Sequence, residues 1–263
     1  MPRSSSFIPP ALSTAGGIRS CWRMALLFVL AGLCAGSLSA CAPSDAPDQT
    51  DEKALTGPIA LRELKAFIDE NLASGRINKS FDAHIWKANL PAPPVVKFDP
   101  KESYYWNLET NKGVLKIKLL PEAAPYHVAV AIYLTLVGFY DDCHFLRMVQ
   151  GFVAQAGSNG MRRTGHAGFE FEAELVDGLS HDRKGVVSAA NRQKPKTDSS
   201  QFFITLGPAP GLDGKHTIYG EVSEGFQTLN AFESFAVTPG QDAIGRGQPL
   251  EPIYIQRATI TVE

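Results

Sequence analysis

Three short segments carry the side chains that could do chemistry. The first is Cys143-His-Phe-Leu-Arg-Met-Val-Gln-Gly-Phe-Val-Ala-Gln-Ala-Gly157. The second is Gly185-Val-Val-Ser-Ala-Ala-Asn191, followed after a charged loop by Gln201-Phe-Phe-Ile-Thr205. The third is Gly211-Leu-Asp-Gly-Lys-His-Thr-Ile-Tyr-Gly220. Arg147 stands among apolar residues, where a charge must reach water or a polar partner because burial without one is costly. It is always protonated and rich in donors. Ser188, Ser199 and Ser200 form no nucleophile elbow. The six histidines lack metal-ligand spacing, and the four cysteines make no CxxC pair.

These side chains need strands to hold them. Side chains alternate along a strand, so Phe145, Arg147 and Val149 are expected on one face of a strand over 143–149. Gln201, Phe203 and Thr205 share one face of the next motif, and Phe202, Ile204 and Leu206 the other. Asp213-Gly214 is a turn signal ahead of a strand. Around these motifs, Tyr104–Leu108 and Val114–Leu120 flank the turn-like Thr110–Gly113 and predict a hairpin. Residues 121–139 and 225–235 predict helices. Further strands are expected over 152–156, 185–189, 201–206, 217–222 and 253–262. Many short strands with two helices predict a mainly β fold, a closed β-barrel with helices on its ends.

The three motifs, in this order, resemble the cyclophilin family of peptidyl-prolyl cis/trans isomerases. Phe145-Leu146-Arg147, Gly151-Phe152 and Gln155-Ala156-Gly157 are similar to that family's Phe-His-Arg, Gly-Phe and Gln-Gly-Gly. Ala190-Asn191 with Ser200–Ile204 and Leu212–His216 match the other two. The resemblance covers roughly residues 103–262. It implies an eight-stranded antiparallel barrel capped by two helices, with the active site on its outer surface. It places the catalytic arginine at Arg147, the proline pocket at Phe152, Val153, Phe203 and Leu212, and polar substrate contacts at Gln155, Ala190, Asn191, Gln201 and His216. It implies proline-containing polypeptides as partners and no cofactor. His216 is expected to pack and hydrogen-bond, not to act as acid or base. Gly211 stands where cyclosporin-sensitive members carry tryptophan, which implies weak inhibition by cyclosporin. A non-catalytic proline-peptide-binding chaperone or scaffold module that keeps the pocket is the alternative.

The remainder of the chain reads as address and attachment. Arg19 and Arg23 precede the apolar run Met24–Leu33, which is the layout of a secretory signal over residues 1–40. Leu38-Ser39-Ala40-Cys41 resembles the bacterial lipobox, which implies lipidation of Cys41, a membrane anchor, and a periplasm-facing place at the outer membrane. Residues 41–57 are a flexible tether rich in Pro, Asp, Ala and Thr. Residues 58–100 predict an amphipathic helix over 58–74, an N-terminal extension to the main domain, followed by an extended Pro-rich connector. Residues 101–263 form the isomerase-like domain. Cys143, with no partner in the mature chain, is expected buried and inert. A formal net charge of -2 gives no attraction to nucleic acid, and one apolar helix stripe alone points to a monomer.

Overall fold

The computed structural model describes residues 57–234, 247 and 249–263. The segments expected to be a signal peptide, a lipobox with Cys41 and a tether, up to residue 56, lie outside the described residues.

Ala60, Leu64, Ile68 and Asn71 recur at three- and four-residue steps and form the buried stripe of helix α1 (Ile59–Ala73). Pro58 precedes the helix without cost, because its missing N–H would have no helical acceptor. Gly75, at φ +75°, ends it, as glycine's freedom in the left-handed region allows. The stripe packs on the chain's own domain: Phe67 meets Tyr133 edge-on at 5.7 Å.

Residues 76–100 were expected to be extended throughout, and the structure corrects this. A single helical turn, α2 (Ala83–Trp86), runs into a 3-10 turn at Lys87–Asn89. No residue of α2 is buried, so no apolar periodicity announces it. It is held by what flanks it. Lys87 donates to the Asp141 carbonyl at 2.7 Å, and Leu90 and Val96 join the same buried cluster as the sheet.

The domain is a curled antiparallel sheet with few helices. Strands β1 (Tyr104–Thr110) and β2 (Gly113–Leu119) form the expected hairpin. Helix α3 (Pro125–Leu136) follows, and is buried along most of its length. Then come β3 (Cys143–His144), β4 (Arg147–Val149), β5 (Val153–Ala156), β6 (Val186–Ala189), β7 (Phe202–Thr205) and β8 (Ile218–Glu224). Helix α4 (Phe226–Ser234) and β9 (Tyr254–Val262) complete the described chain. The nine strands lie in the order β3-β9-β1-β2-β8-β6-β7-β5-β4. Trp106 sits at the centre of the core, with Tyr140 and Phe202 at 4.9 and 4.8 Å.

Among the described residues nine strands are present, because the segment 143–149, expected as one strand, divides. Phe145 donates its N–H to Ile253, whereas Leu146 donates to Gln155. The chain thus changes partner between two adjacent residues, and the alternation resets there. Phe145 consequently does not share a face with Arg147 as expected. It turns into the core, 4.9 Å from Phe232.

Candidate active site

Antiparallel register builds the site. Arg147 on β4 lies opposite Gln155 on β5, Gln155 lies opposite Phe203 on β7, and Phe203 lies opposite Ser188 on β6. These four residues form one row across four strands. The row one residue along, Met148, Ala154, Ile204 and Val187, belongs to the hydrophobic core. Because successive side chains point to opposite faces, the Arg147 row is presented away from that core.

Arg147 is half-buried and donates from Nη1 to Gln155 Oε1 at 3.3 Å. Its guanidinium lies 5.8 Å from the centre of the Phe152 ring. Gln155 Nε2 donates to Gln201 Oε1 at 2.9 Å. Gln201 Nε2 in turn donates to the carbonyls of Arg163 at 2.8 Å and Gly165 at 2.6 Å. An arginine can only donate, so Gln155 must turn its oxygen toward it, and the orientation of each following amide is fixed in sequence. Ala190 is tied to the same group, its N–H donating to the Gln201 carbonyl at 2.9 Å.

Phe203 supplies the apolar floor and is almost fully buried. The His216 ring stands edge-on to it at 5.3 Å. His216 Nδ1 lies 2.9 Å from the Ala189 carbonyl, so Nδ1 carries the hydrogen. Burial lowers the pKa of His216, which keeps it neutral near pH 7, a packing and hydrogen-bonding group. Asn191 donates to the Lys215 carbonyl at 3.1 Å and joins the loop of the second motif to the third. Val153 is buried opposite Thr205. Leu212, on the 3-10 turn Pro210–Leu212, is partly exposed, and its neighbour Asp213 bonds to His181. Gly211 is exposed, with open space where a side chain would start. A cavity of about 160 Å³ adjoins the row, lined among others by Gln155, Ala190, Asn191, Gln201 and Arg163. A larger surface cavity, about 620 Å³, lies elsewhere, around Leu120, Arg183 and Glu221.

Two polar networks centred on buried histidines lie in the same domain, and no local residue pattern announces either. His181 lies parallel to Phe203 at 5.8 Å. Its Nδ1 is 2.7 Å from Asp213 Oδ1 and its Nε2 is 2.9 Å from Ser188 Oγ. The order Ser-His-Asp is that of a hydrolase triad, but Ser188 and His181 are fully buried, so no substrate carbonyl can reach the hydroxyl. The network fixes Phe203 from behind. In the other, His127 lies between Glu174 at 2.6 Å and Asp198 at 2.9 Å. Burial alone would lower its pKa, but the two carboxylates outweigh burial and raise it. Cys143 is buried as expected, and burial pushes its thiol pKa up to about 11, which leaves it unreactive. Among the described residues no group of three His, Cys, Asp or Glu side chains is arranged to hold a metal ion, and no helix is long and apolar enough to cross a membrane.

Fold and site define a mainly β protein with a preorganised arginine, amides and apolar side chains on one face of a curled sheet. The chain belongs to the cyclophilin-type peptidyl-prolyl cis-trans isomerase family, whose model matches residues 105–260. It is 32% identical over 249 residues to peptidyl-prolyl cis-trans isomerase-like 2 of Cryptococcus neoformans, covering 86% of this chain and 42% of that protein. It is 36% identical over 156 residues to human peptidyl-prolyl cis-trans isomerase-like 3, covering 58% of this chain and 93% of that protein. This chain thus spans less than half the length of the Cryptococcus relative. A crystal structure of a cyclophilin-type isomerase from Cryptosporidium parvum superposes with a TM-score of 0.55 at 30% identity, covering 60% of this chain and 98% of that one. The same protein has been solved in the presence of the dipeptide Ala-Pro, with a TM-score of 0.54.

Proposed function

We propose that this chain accelerates rotation about X-Pro bonds in polypeptides, with Arg147 as the catalytic residue. The observation that carries the reading is the row in which Arg147, held by Gln155, stands beside Phe152 and within one strand of Phe203. Rotation about a peptide bond breaks amide resonance against a barrier of about 18–20 kcal/mol. No bond is made or lost, so the protein need only bind the twisted amide better than the planar one. Once resonance is lost, the proline nitrogen gains a lone pair, and Arg147 donates to it. Phe152, Val153, Phe203 and Leu212 hold the ring, and Gln155, Ala190, Asn191, Gln201 and His216 hold the flanking chain. The donors are already oriented, so little reorganisation accompanies the rotation.

Exchange spectroscopy on full-length protein with X-Pro peptides tests this. The wild type should speed cis/trans exchange, and Arg147→Ala should lower kcat/KM by about 100-fold, about 2.7 kcal/mol. No exchange from folded wild-type protein would favour the binding-module alternative. Fast exchange unchanged by the substitution would overturn the role of Arg147.

The same reading takes the sheet as a closed eight-stranded barrel. In support, the end strands β3 and β4 are separated by two residues only, and Phe145 and Leu146 bond in opposite directions to Ile253 and Gln155. It also takes the chain as a folding catalyst for envelope or secreted proteins, anchored by a lipid on Cys41 and facing the periplasm at a bacterial outer membrane. The relatives named above are eukaryotic, so this rests on the sequence of residues 19–41 alone. Cys41→Ala should move the protein from the membrane fraction to the soluble fraction, and a membrane fraction unchanged by it would overturn the anchor.

A further inference from the structure

We propose that residues 84–90, in the N-terminal extension, are a positioning element for the substrate site and act through the loop 157–168. The inference rests on the site reading above. The extension lies outside the span that the family model matches, 105–260, yet it grips this loop near both ends. Asn159 Nδ2 donates to the His84 carbonyl at 2.9 Å. Leu90 donates its N–H to the Ala167 carbonyl at 3.0 Å. Gly168 has φ +99°, and a Cβ placed on it would come within 2.5 Å of the Ala88 carbonyl oxygen. The two segments are thus in backbone contact at Gly168.

Between these grips the loop closes on itself at Arg162, whose carbonyl accepts from Ser158 Oγ at 2.5 Å and from the Gly165 N–H at 3.1 Å. Met161 to Thr164 are exposed, and no regular strand or helix forms there. Ordering such a segment is entropically costly and must be offset by contacts at its ends. The extension can supply them because it is itself fixed: Leu90 is buried, Lys87 donates to the Asp141 carbonyl, and Tyr126 donates its hydroxyl to the Pro93 carbonyl at 3.0 Å.

The middle of the loop is what the site needs. The carbonyls of Arg163 and Gly165 take both hydrogen bonds of Gln201 Nε2. Gln201 orients Gln155, and Gln155 orients Arg147. A continuous path of hydrogen bonds and backbone contacts therefore runs from His84 and Leu90 to the guanidinium. Small displacements of oriented groups cost much more in rate than in stability.

The test uses three variants of the full chain. Asn159→Ala removes one grip, and Gly168→Ala pushes the loop away from Ala88. Leu64→Ala weakens the extension's packing at a distance from the loop. Asn159→Ala and Gly168→Ala should each lower kcat/KM for X-Pro peptides by about fivefold to tenfold, with Tm nearly unchanged for Asn159→Ala. Both should shift the Gln201 side-chain amide resonances. Leu64→Ala should lower Tm and leave kcat/KM and those resonances as in the wild type when measured well below Tm. Wild-type kcat/KM in Asn159→Ala and Gly168→Ala, or unshifted Gln201 resonances, would overturn the proposal and leave the extension a stabilising element only. If the wild type shows no isomerase activity, the functional reading fails separately, and the Gln201 resonances alone decide this one.

Discussion

Two rows of side chains cross the same four strands one residue apart, and they do opposite work. Met148, Ala154, Ile204 and Val187 are apolar, buried and part of one continuous cluster. Arg147, Gln155, Phe203 and Ser188 grade from a half-exposed charge, through an amide and an aromatic ring, to a buried hydroxyl. The inner row stabilises through area removed from water, which is non-directional and tolerant of exchange between similar shapes. The outer row depends on direction: one donor aimed through one amide. The proposed site thus lies on the outside of the sheet because the inside is filled, and the pleat lets a single strand serve both. It follows that stability and activity should separate by row.

The largest effect is expected on the inner row. Ile204→Ala leaves a cavity where its neighbours cannot collapse and should cost about 2–5 kcal/mol of stability in urea unfolding. Below its midpoint it should keep most of its kcat/KM. A loss of activity with unchanged stability would break the division. On the outer row Arg147→Ala should do the reverse, losing activity as stated above with a Tm close to the wild type.

A smaller effect sharpens the comparison through pH. His216 and His127 are both buried but shifted in opposite directions. His216 is lowered by burial, so its folded state resists protonation. Its contribution is present above the unfolded histidine value of about 6.5 and is lost as pH falls through the folded value. His127 is raised by Asp198 and Glu174 against the effect of burial. Its contribution is full below about 6.5 and is lost as pH rises through the folded value. Urea unfolding from pH 5 to 9 should therefore show the deficit of His127→Gln greatest at low pH. The deficit of His216→Gln should shrink as pH falls below about 6.5. Parallel pH profiles for the two variants would contradict the assignment of the two environments.

Much of this molecule can be read from local pattern. The hairpin, helix α1 and the strands over 153–156, 186–189, 202–205 and 218–224 lie within one or two residues of their expected bounds. Period-2 and 3.6-residue patterns are properties of the chain, and each of these segments has one face in a single environment. Phe203 was expected on the face of Gln201, and its neighbours Phe202 and Ile204 on the other. The structure places Phe202 and Ile204 in the core cluster and Phe203 against His216. Two expectations failed for a common reason. The split at Phe145–Leu146 and the turn at Ala83–Trp86 are decided by partners far away in sequence, Ile253 and Gln155 in one case and the surface around Asp141 in the other.

The sequence by itself determined the β1–β2 hairpin, helices α3 and α4, the apolar stripe of α1, and the three motifs whose residues line the candidate site. Those are matters of residue type and spacing, which a local rule can read. Only the tertiary structure decided that Gln201 is held by the carbonyls of Arg163 and Gly165, that Ser188 and His181 are sealed beneath Phe203, and that the extension reaches the loop at Asn159 and Ala167. Backbone carbonyls carry no side-chain signature, and burial depends on what packs above a residue. Neither is visible until distant segments have met.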